Sequence, residues 1–323
     1  MRLPFEKWHG CKNDFLLFYL NENQFPLLSD SLQRQAPRLC SKEGDGVGAD
    51  GILILMAGKD HVPSRLLIVN QDGSLARHCG NGIRCAAMSY YRAVMKNQPH
   101  SIITGSSEPE GLSLELSPSG TQIFCRFFPN KKRESLPFVQ ISMGVPIWGE
   151  ENDWHREGLL FVDTVLVDLQ LKQTIREVHS AQLLNKHLLL AVDSLEELSA
   201  REWYDLGSRL QVTPAWDGIN VTLFSALEIQ KKDQEDIRSS CGAELSELYS
   251  AQTWERGVGP TQACGSAASV LGSWVICQGF VEKGAWIGVT MPGGKLYVQQ
   301  KTSQDEVLLC GPAEFVFEGA IDI

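Results

Sequence analysis

Cysteine pairs at metal or redox spacing are missing from this chain. Among its nine cysteines, Cys11, Cys40, Cys79, Cys85, Cys125, Cys241, Cys264, Cys277 and Cys310, no two form a Cys-x-x-Cys pair, and the seven histidines form no H-E-x-x-H or His/Cys cluster. The usual zinc and dithiol signatures are therefore excluded and no metal is expected. An odd number of dispersed cysteines, with no apolar leader in MRLPFEKWHG, also argues against a secreted disulfide framework, so a cytoplasmic setting is expected. Basic charge is scarce too. With 29 Lys and Arg against 39 Asp and Glu, the net charge of -10 lacks the field that nucleic acid requires, and the runs NKKR and QKK read as solvated turns. No apolar run is long enough to span a bilayer, so no membrane partner is expected. Low-complexity tracts are absent as well, and 43% hydrophobic residues in a chain of 323 can supply two domains, each with its own core.

What is present is a succession of short apolar or alternating segments: DGILIL, RLLIVN, LSLELS, TQIFCRFF, FVQISMG, LLFVDTVLVD, HLLLAV, INVTLFSA, WIGVTM, KLYVQQ and AEFVFEG. All read as strands, and the turn chemistry of QDGS and MPGGK joins some of them as hairpins, so an α/β (α+β) chain with mixed or antiparallel sheets is expected. Helical spacing appears at Ile83, Ala86, Ala87, Tyr90 and Val94, and again at Ala267, Val270, Leu271, Trp274 and Val275; both helices are apolar enough to be central. SLEELSAREWYDLGSRL reads as a surface helix, and residues 231–250 as a polar excursion holding a short helix. Cys85, Cys125 and Cys277 sit in apolar patterns and are expected to be core residues.

Each predicted central helix follows a glycine-rich turn that ends in cysteine: ARHCGNG at Cys79 and TQACGSA at Cys264. A thiol at a helix start faces unpaired N–H groups and the positive end of the dipole, which favour the thiolate. The N–H groups of Gly80, Asn81, Gly265 and Ser266 would form carboxylate sites at the two helix ends. Two such ends holding one α-carboxylate would stabilise charge as the α-proton leaves, with one thiolate taking a proton and the opposite thiol returning one. Either motif alone is more simply a buried cysteine beside a tight turn; the repetition points to catalysis.

HGCKNDFLLF, GVGADGILIL, NQDGSLARHCGNGIRCAA, WERGVGPTQACGSAASV and PGGKL together resemble the diaminopimelate epimerases, over most of the chain. The resemblance implies two pseudo-symmetric domains, each a mixed or antiparallel sheet wrapped around a central helix: residues 1–137, joined by the terminal strand 312–323, and residues 138–311. It implies an isomerase without cofactor that interconverts LL- and meso-diaminopimelate, in which Cys79 and Cys264 are acid and base. It further implies that Asn13, Asn70, Asn185, Asn220, Glu255 and Arg256 read the distal head group and that His187 supports the site. The partner is a small amino acid, and a homodimer is the one assembly left open. The chain departs from the family's pattern in Asn-Lys-His where Asn-Pro-His is usual, in Pro260 where the pattern is acidic, and in Cys11-Lys12 where it reads Leu-Gly. A racemase of another amino acid such as histidine, or an amino-acid-binding protein without catalysis, are the competing readings.

Overall fold

The computed structural model describes residues 1–58, 63–96, 111–128, 138–149 and 154–323. The NKKR run and the first part of the expected domain join, residues 134–137, lie outside the described residues. The chain forms two compact units, Met1–Ser142 with Cys310–Ile323, and Met143–Leu309.

In the first unit the strands are β1 (Arg2–Gly10), β2 (Asn13–Tyr19), β3 (Gly51–Met56), β4 (Ser64–Asn70), β5 (Leu75–Ala76), β6 (Gly111–Ser117), β7 (Thr121–Phe128) and β8 (Phe138–Ser142). The helices are α1 (Phe25–Leu39) and α2 (Gly80–Lys96). β1 runs antiparallel to β2, β2 parallel to β3, β3 antiparallel to β4, β4 parallel to β6 and β6 antiparallel to β7. The sheet curls round α2, which touches β1, β2, β3, β4 and β8. Because α1 also packs on β3, that strand is buried along nearly its whole length, which is why GILILM is a continuous apolar run rather than an alternating one. β8 pairs with β7 and so remains in the first unit, beyond the expected join at 137/138.

The second unit holds β9 (Ile147–Trp148), β10 (Glu177–Leu183), β11 (Asn185–Ala191), β12 (Asn220–Leu227), β13 (Leu245–Glu255), β14 (Gly259–Thr261), β15 (Trp286–Met291) and β16 (Gly294–Gln299), with α3 (Trp154–Asp168), α4 (Ala200–Leu210), α5 (Lys231–Cys241) and α6 (Gly265–Cys277). The chain leaves this unit within β17 (Leu308–Gly311), and β18 (Glu314–Asp322) then pairs with β1. From β10 the pairings run antiparallel to β11, parallel to β12, antiparallel to β13, parallel to β15 and antiparallel to β16. That succession repeats the first unit strand for strand, and α6, buried on nearly every face, touches β10, β11, β15 and β16 as α2 touches its own sheet.

The register extends the repeat to single residues. Leu16 faces Ile52 and Ile52 faces Val69; Leu188 faces Val221 and Val221 faces Trp254. Val69 then faces Leu75 of β5, and Trp254 faces Pro260 of β14. Three residues beyond the end of β5 stands Cys79, and three beyond β14 stands Cys264.

Three expectations need correction. LLFVDTVLVD is not a strand but the body of α3: its buried residues Val162, Val165 and Leu166 follow helical spacing, while Leu160 and Val167 face solvent. Its valines and threonine had favoured a strand by propensity, but packing against α4 and the turn Pro214–Trp216 decides for helix. Cys277 lies at the last turn of α6 and is exposed, unlike the buried Cys85 and Cys125. QKK opens α5 rather than forming a turn: the Gln230 N–H donates to Asp233 at 2.8 Å. The remainder of the 231–250 excursion enters β13. Among the described residues no helix is long and apolar enough to cross a membrane.

Candidate active site

Cys79 stands at the mouth of α2. Its carbonyl accepts the Ile83 N–H at 2.9 Å, the first intrahelical bond, and its Sγ accepts the Gly82 N–H at 3.5 Å. A side-chain acceptor on the third N–H is the capping geometry that Ser or Asp usually supplies, here made by sulfur. Gly82 is needed because a Cβ there would come within 2.9 Å of Leu53 Cδ2 and 3.6 Å of the same sulfur. Cys264 is the residue before α6, in extended backbone, and its carbonyl accepts the Ala268 N–H at 3.0 Å. Its Sγ lies 3.3 Å from Ser266 Oγ, and its own N–H donates to Met291 Sδ at 3.4 Å. Cys79 is half-buried and Cys264 buried. At both helices the N–H groups of the first turn, Gly80 and Asn81 in one and Gly265 and Ser266 in the other, precede the first residue bonded along the helix.

The first turn of α2 contains a cation that the sequence reading passed over. Arg84 is fully buried and donates to Asn81 Oδ1 at 2.7 Å, to the Gly80 carbonyl at 3.2 Å and to the Pro312 carbonyl at 3.4 Å. It holds Asn81 and Gly80 in place with neutral acceptors, so its charge adds to the positive end of the dipole. The available signal was a charged residue inside an otherwise apolar helical face.

The asparagines at the strand ends fall into two groups. Asn13 begins β2 and donates from Nδ2 to Asp50 Oδ2 at 3.0 Å; Asp50, pushed above the usual carboxylate range by burial, also accepts the Asp14 N–H. Asn70 ends β4 and donates to Ser74 Oγ at 2.9 Å, closing the QDGS turn. Within the second unit Asn185, Asn220 and Arg256 come together on one cavity of about 170 Å³, joined there by Lys186, Asp217 and Gly218. Asn220 is buried; its Oδ1 accepts the Arg256 N–H at 2.9 Å, while its Nδ2 meets no acceptor among the described residues. Arg256 donates from Nη1 to the Asp217 carbonyl at 2.7 Å. Glu255 does not line this cavity; its Oε1 accepts the Thr261 hydroxyl at 2.8 Å. Of the expected Glu255–Arg256 pair only Arg256 lines the cavity, because β13 ends at Glu255 and Arg256 stands in the turn that follows. His187 lies in register with Asn220 and is fully buried.

Burial holds two imidazoles well below their ordinary range. His187 and His78, the latter immediately before Cys79, are both lowered to about 4, chiefly by desolvation and partly countered by a backbone contact. Below about pH 6.5 the unfolded chain takes up protons that the folded chain refuses until about pH 4, so this contribution to stability is fully present above pH 6.5 and fades as pH falls through that window. Each imidazole contributes about 1.4 kcal/mol per pH unit there, opposed by Asp50, whose raised carboxyl works in the other direction. Calorimetric Tm is expected to drop steadily from pH 7 to 4.5, and less steeply in His187→Gln. A flat profile would refute the assignment of neutral buried histidines.

Residues 5–108 match the family model described as diaminopimelate epimerase. The diaminopimelate epimerase of Prochlorococcus marinus (strain NATL1A) is 29% identical over 331 residues, covering 100% of both chains. That of Heliobacterium modesticaldum is 28% identical over 327 residues, covering 99% of this chain and 100% of the relative. Among solved structures, the Bacillus anthracis phenazine biosynthesis protein of the PhzF family superposes with a TM-score of 0.66 at 13% identity over 100% of both chains. A hydroxyproline epimerase from Agrobacterium vitis, with bound trans-4-hydroxy-L-proline, gives 0.57 at 12% identity over 99% of this chain and 91% of that one. The structures share the fold, and the sequences carry the identification further. With a cysteine at the start of a buried helix at the same register in both halves, the chain aligns end to end with these relatives and resembles the diaminopimelate epimerases, and the protein is an isomerase of the epimerase kind.

Proposed function

We propose that the protein interconverts LL- and meso-diaminopimelate by cofactor-independent proton transfer at Cα, a step of lysine biosynthesis, with Cys79 and Cys264 as the acid and base. The observation that carries this reading is the doubled station: in each unit a cysteine caps a buried helix three residues after a short strand. Removing a proton α to a carboxylate places negative charge on that carboxylate, so fixed N–H groups at Gly80, Asn81, Gly265 and Ser266 would stabilise the transition state more than the ground state. One thiolate takes the proton, a thiol on the opposite face returns another, and the resting pair is regenerated with its roles exchanged. Arg256, Asn220 and Asn185 would hold the far end of the substrate, with Asn13 and Asn70 contributing from the first unit. His187, neutral and buried, would support the strand that carries Asn185.

The test is turnover in D2O against a panel of LL- and meso-diaminopimelate and common monoamino acids, following Cα deuterium by mass and NMR. Diaminopimelate is expected to acquire deuterium at the inverted centre while the single-headed amino acids exchange far more slowly. Faster exchange on a single-headed amino acid would identify a different racemase. Binding without any exchange would identify a non-catalytic binder.

A further inference from the structure

The distal cavity carries a cation beyond the one its proposed role needs. Lys186 lines it, with its ammonium fixed by donation to the Trp216 carbonyl at 2.6 Å, and Arg256 lines it with Nη1 on the Asp217 carbonyl. Among the described residues the lining thus holds two cations, Lys186 and Arg256, and one carboxylate, Asp217. Asn220 is also in the lining, its Oδ1 taken by the Arg256 N–H and its buried Nδ2 without an acceptor among the described residues. Glu255, the carboxylate expected to receive a substrate ammonium, stands outside the lining. A net positive, donor-rich cavity matches one carboxylate. The distal end of diaminopimelate presents a carboxylate and an ammonium together, and is neutral overall.

We propose that Lys186 is a specificity-determining residue that lets the distal cavity take a carboxylate unaccompanied by an ammonium, so that the enzyme also epimerises α-amino dicarboxylic acids of the same reach lacking the distal amine. This rests on the two-thiol epimerase reading. Lys186 replaces the distal ammonium's charge with one that belongs to the protein, so losing the amine from the substrate costs little. In Lys186→Met the side-chain stem remains and the charge does not.

The experiment compares diaminopimelate with 2-aminopimelate in wild type, Lys186→Met and Lys186→Arg, measuring kcat/KM by Cα exchange and Kd by calorimetry. Wild type is expected to accept 2-aminopimelate within roughly tenfold of diaminopimelate, where tenfold is one step of about 1.4 kcal/mol. Lys186→Met should shift that ratio against 2-aminopimelate by roughly another tenfold or more, and Lys186→Arg should keep it. An equal change on both compounds, or none, overturns the proposal and leaves Lys186 as a tether of the Trp216 turn. If neither compound exchanges at Cα, the epimerase reading fails by itself, and the calorimetric ratio still decides the role of Lys186: a shift in Lys186→Met upholds it, an unchanged ratio or no binding refutes it.

Discussion

Cys79→Ser and Cys264→Ser are each expected to lower epimerisation by roughly 10²- to 10⁴-fold, the usual contribution of a positioned acid or base. Serine preserves the size of the side chain and its place at the helix start, and at position 79 its oxygen can accept the Gly82 N–H that the sulfur accepts at 3.5 Å. The fold and the helix-start N–H groups should therefore survive, and KM should change far less than kcat. What is lost is acidity, because a hydroxyl does not ionise where a thiol can. Cys277→Ser is the matched control, since that thiol is exposed at the far end of α6, and it should retain turnover within about twofold, as surface substitutions usually do. Wild-type kcat in either helix-start variant would remove the two-thiol scheme. Equal losses in the Cys277 control would mean that the effect is general and not catalytic.

The second large effect is expected at Gly218, a residue with no side chain to contribute. Its φ of +85° is in the left-handed region, and a Cβ there would lie 2.1 Å from Arg256 Cδ. Gly218→Ala cannot be accommodated without moving the arginine stem, and the backbone adds a cost of about 1–2 kcal/mol for a non-glycine residue. Loss of a charged hydrogen-bonding partner is typically worth 10- to 10²-fold, so kcat/KM on diaminopimelate should fall by roughly that factor, mainly through KM. The double-mutant cycle is diagnostic. If Gly218 acts by housing Arg256, Gly218→Ala should cost almost nothing further in an Arg256→Ala background, where the stem is gone. Additive losses would place the effect in the Asp217–Gly218 turn instead. Unchanged kcat/KM in both single variants would remove Arg256 from substrate recognition.

How much of this was legible in the sequence depended on how local the cause was. Strands such as RLLIVN and HLLLAV, and the two cysteine-led helices, announced themselves through patterns within a few residues, and α4 declared its start through Ser199 and Glu202, which form a reciprocal cap. The helix α3 did not, because its Val and Leu content favours a strand and only the spacing of Val162, Val165 and Leu166 favours a helix. The places of Gly80, Asn81, Gly265 and Ser266 at the starts of the two helices, fixed by their own turns, could be read directly. Lys186 was visible as a departure from the family's Asn-Pro-His, yet its direction depends on a carbonyl thirty residues away at Trp216. Glu255 and Arg256 looked like a pair because they are adjacent, whereas Glu255 ends β13 and bonds Thr261, and Arg256, in the turn that follows, bonds the Asp217 carbonyl.

The repeated register has a consequence for how the two halves could drift apart. A reaction that removes a proton from one side of a carbon and adds it to the other needs two equivalent stations, so under the proposed two-thiol scheme positions 79 and 264 would be bound to stay alike. The charged groups that the proposed reading sets against the far end of the substrate, Lys186 and Arg256, stand in the second unit alone, and there the duplicated positions would be released from that constraint. Asp14 occupies in β2 the place that Lys186 occupies in β11, each the second residue of its strand, opposite His9 and Gln182 respectively. In the first unit the acid is spent inwardly on Lys7, at 2.6 Å; in the second the base is turned toward a cavity. On the proposed reading, symmetry is thereby kept where the chemistry must be reversible, and a charge of opposite sign marks the place where the molecule would tell one end of its ligand from the other.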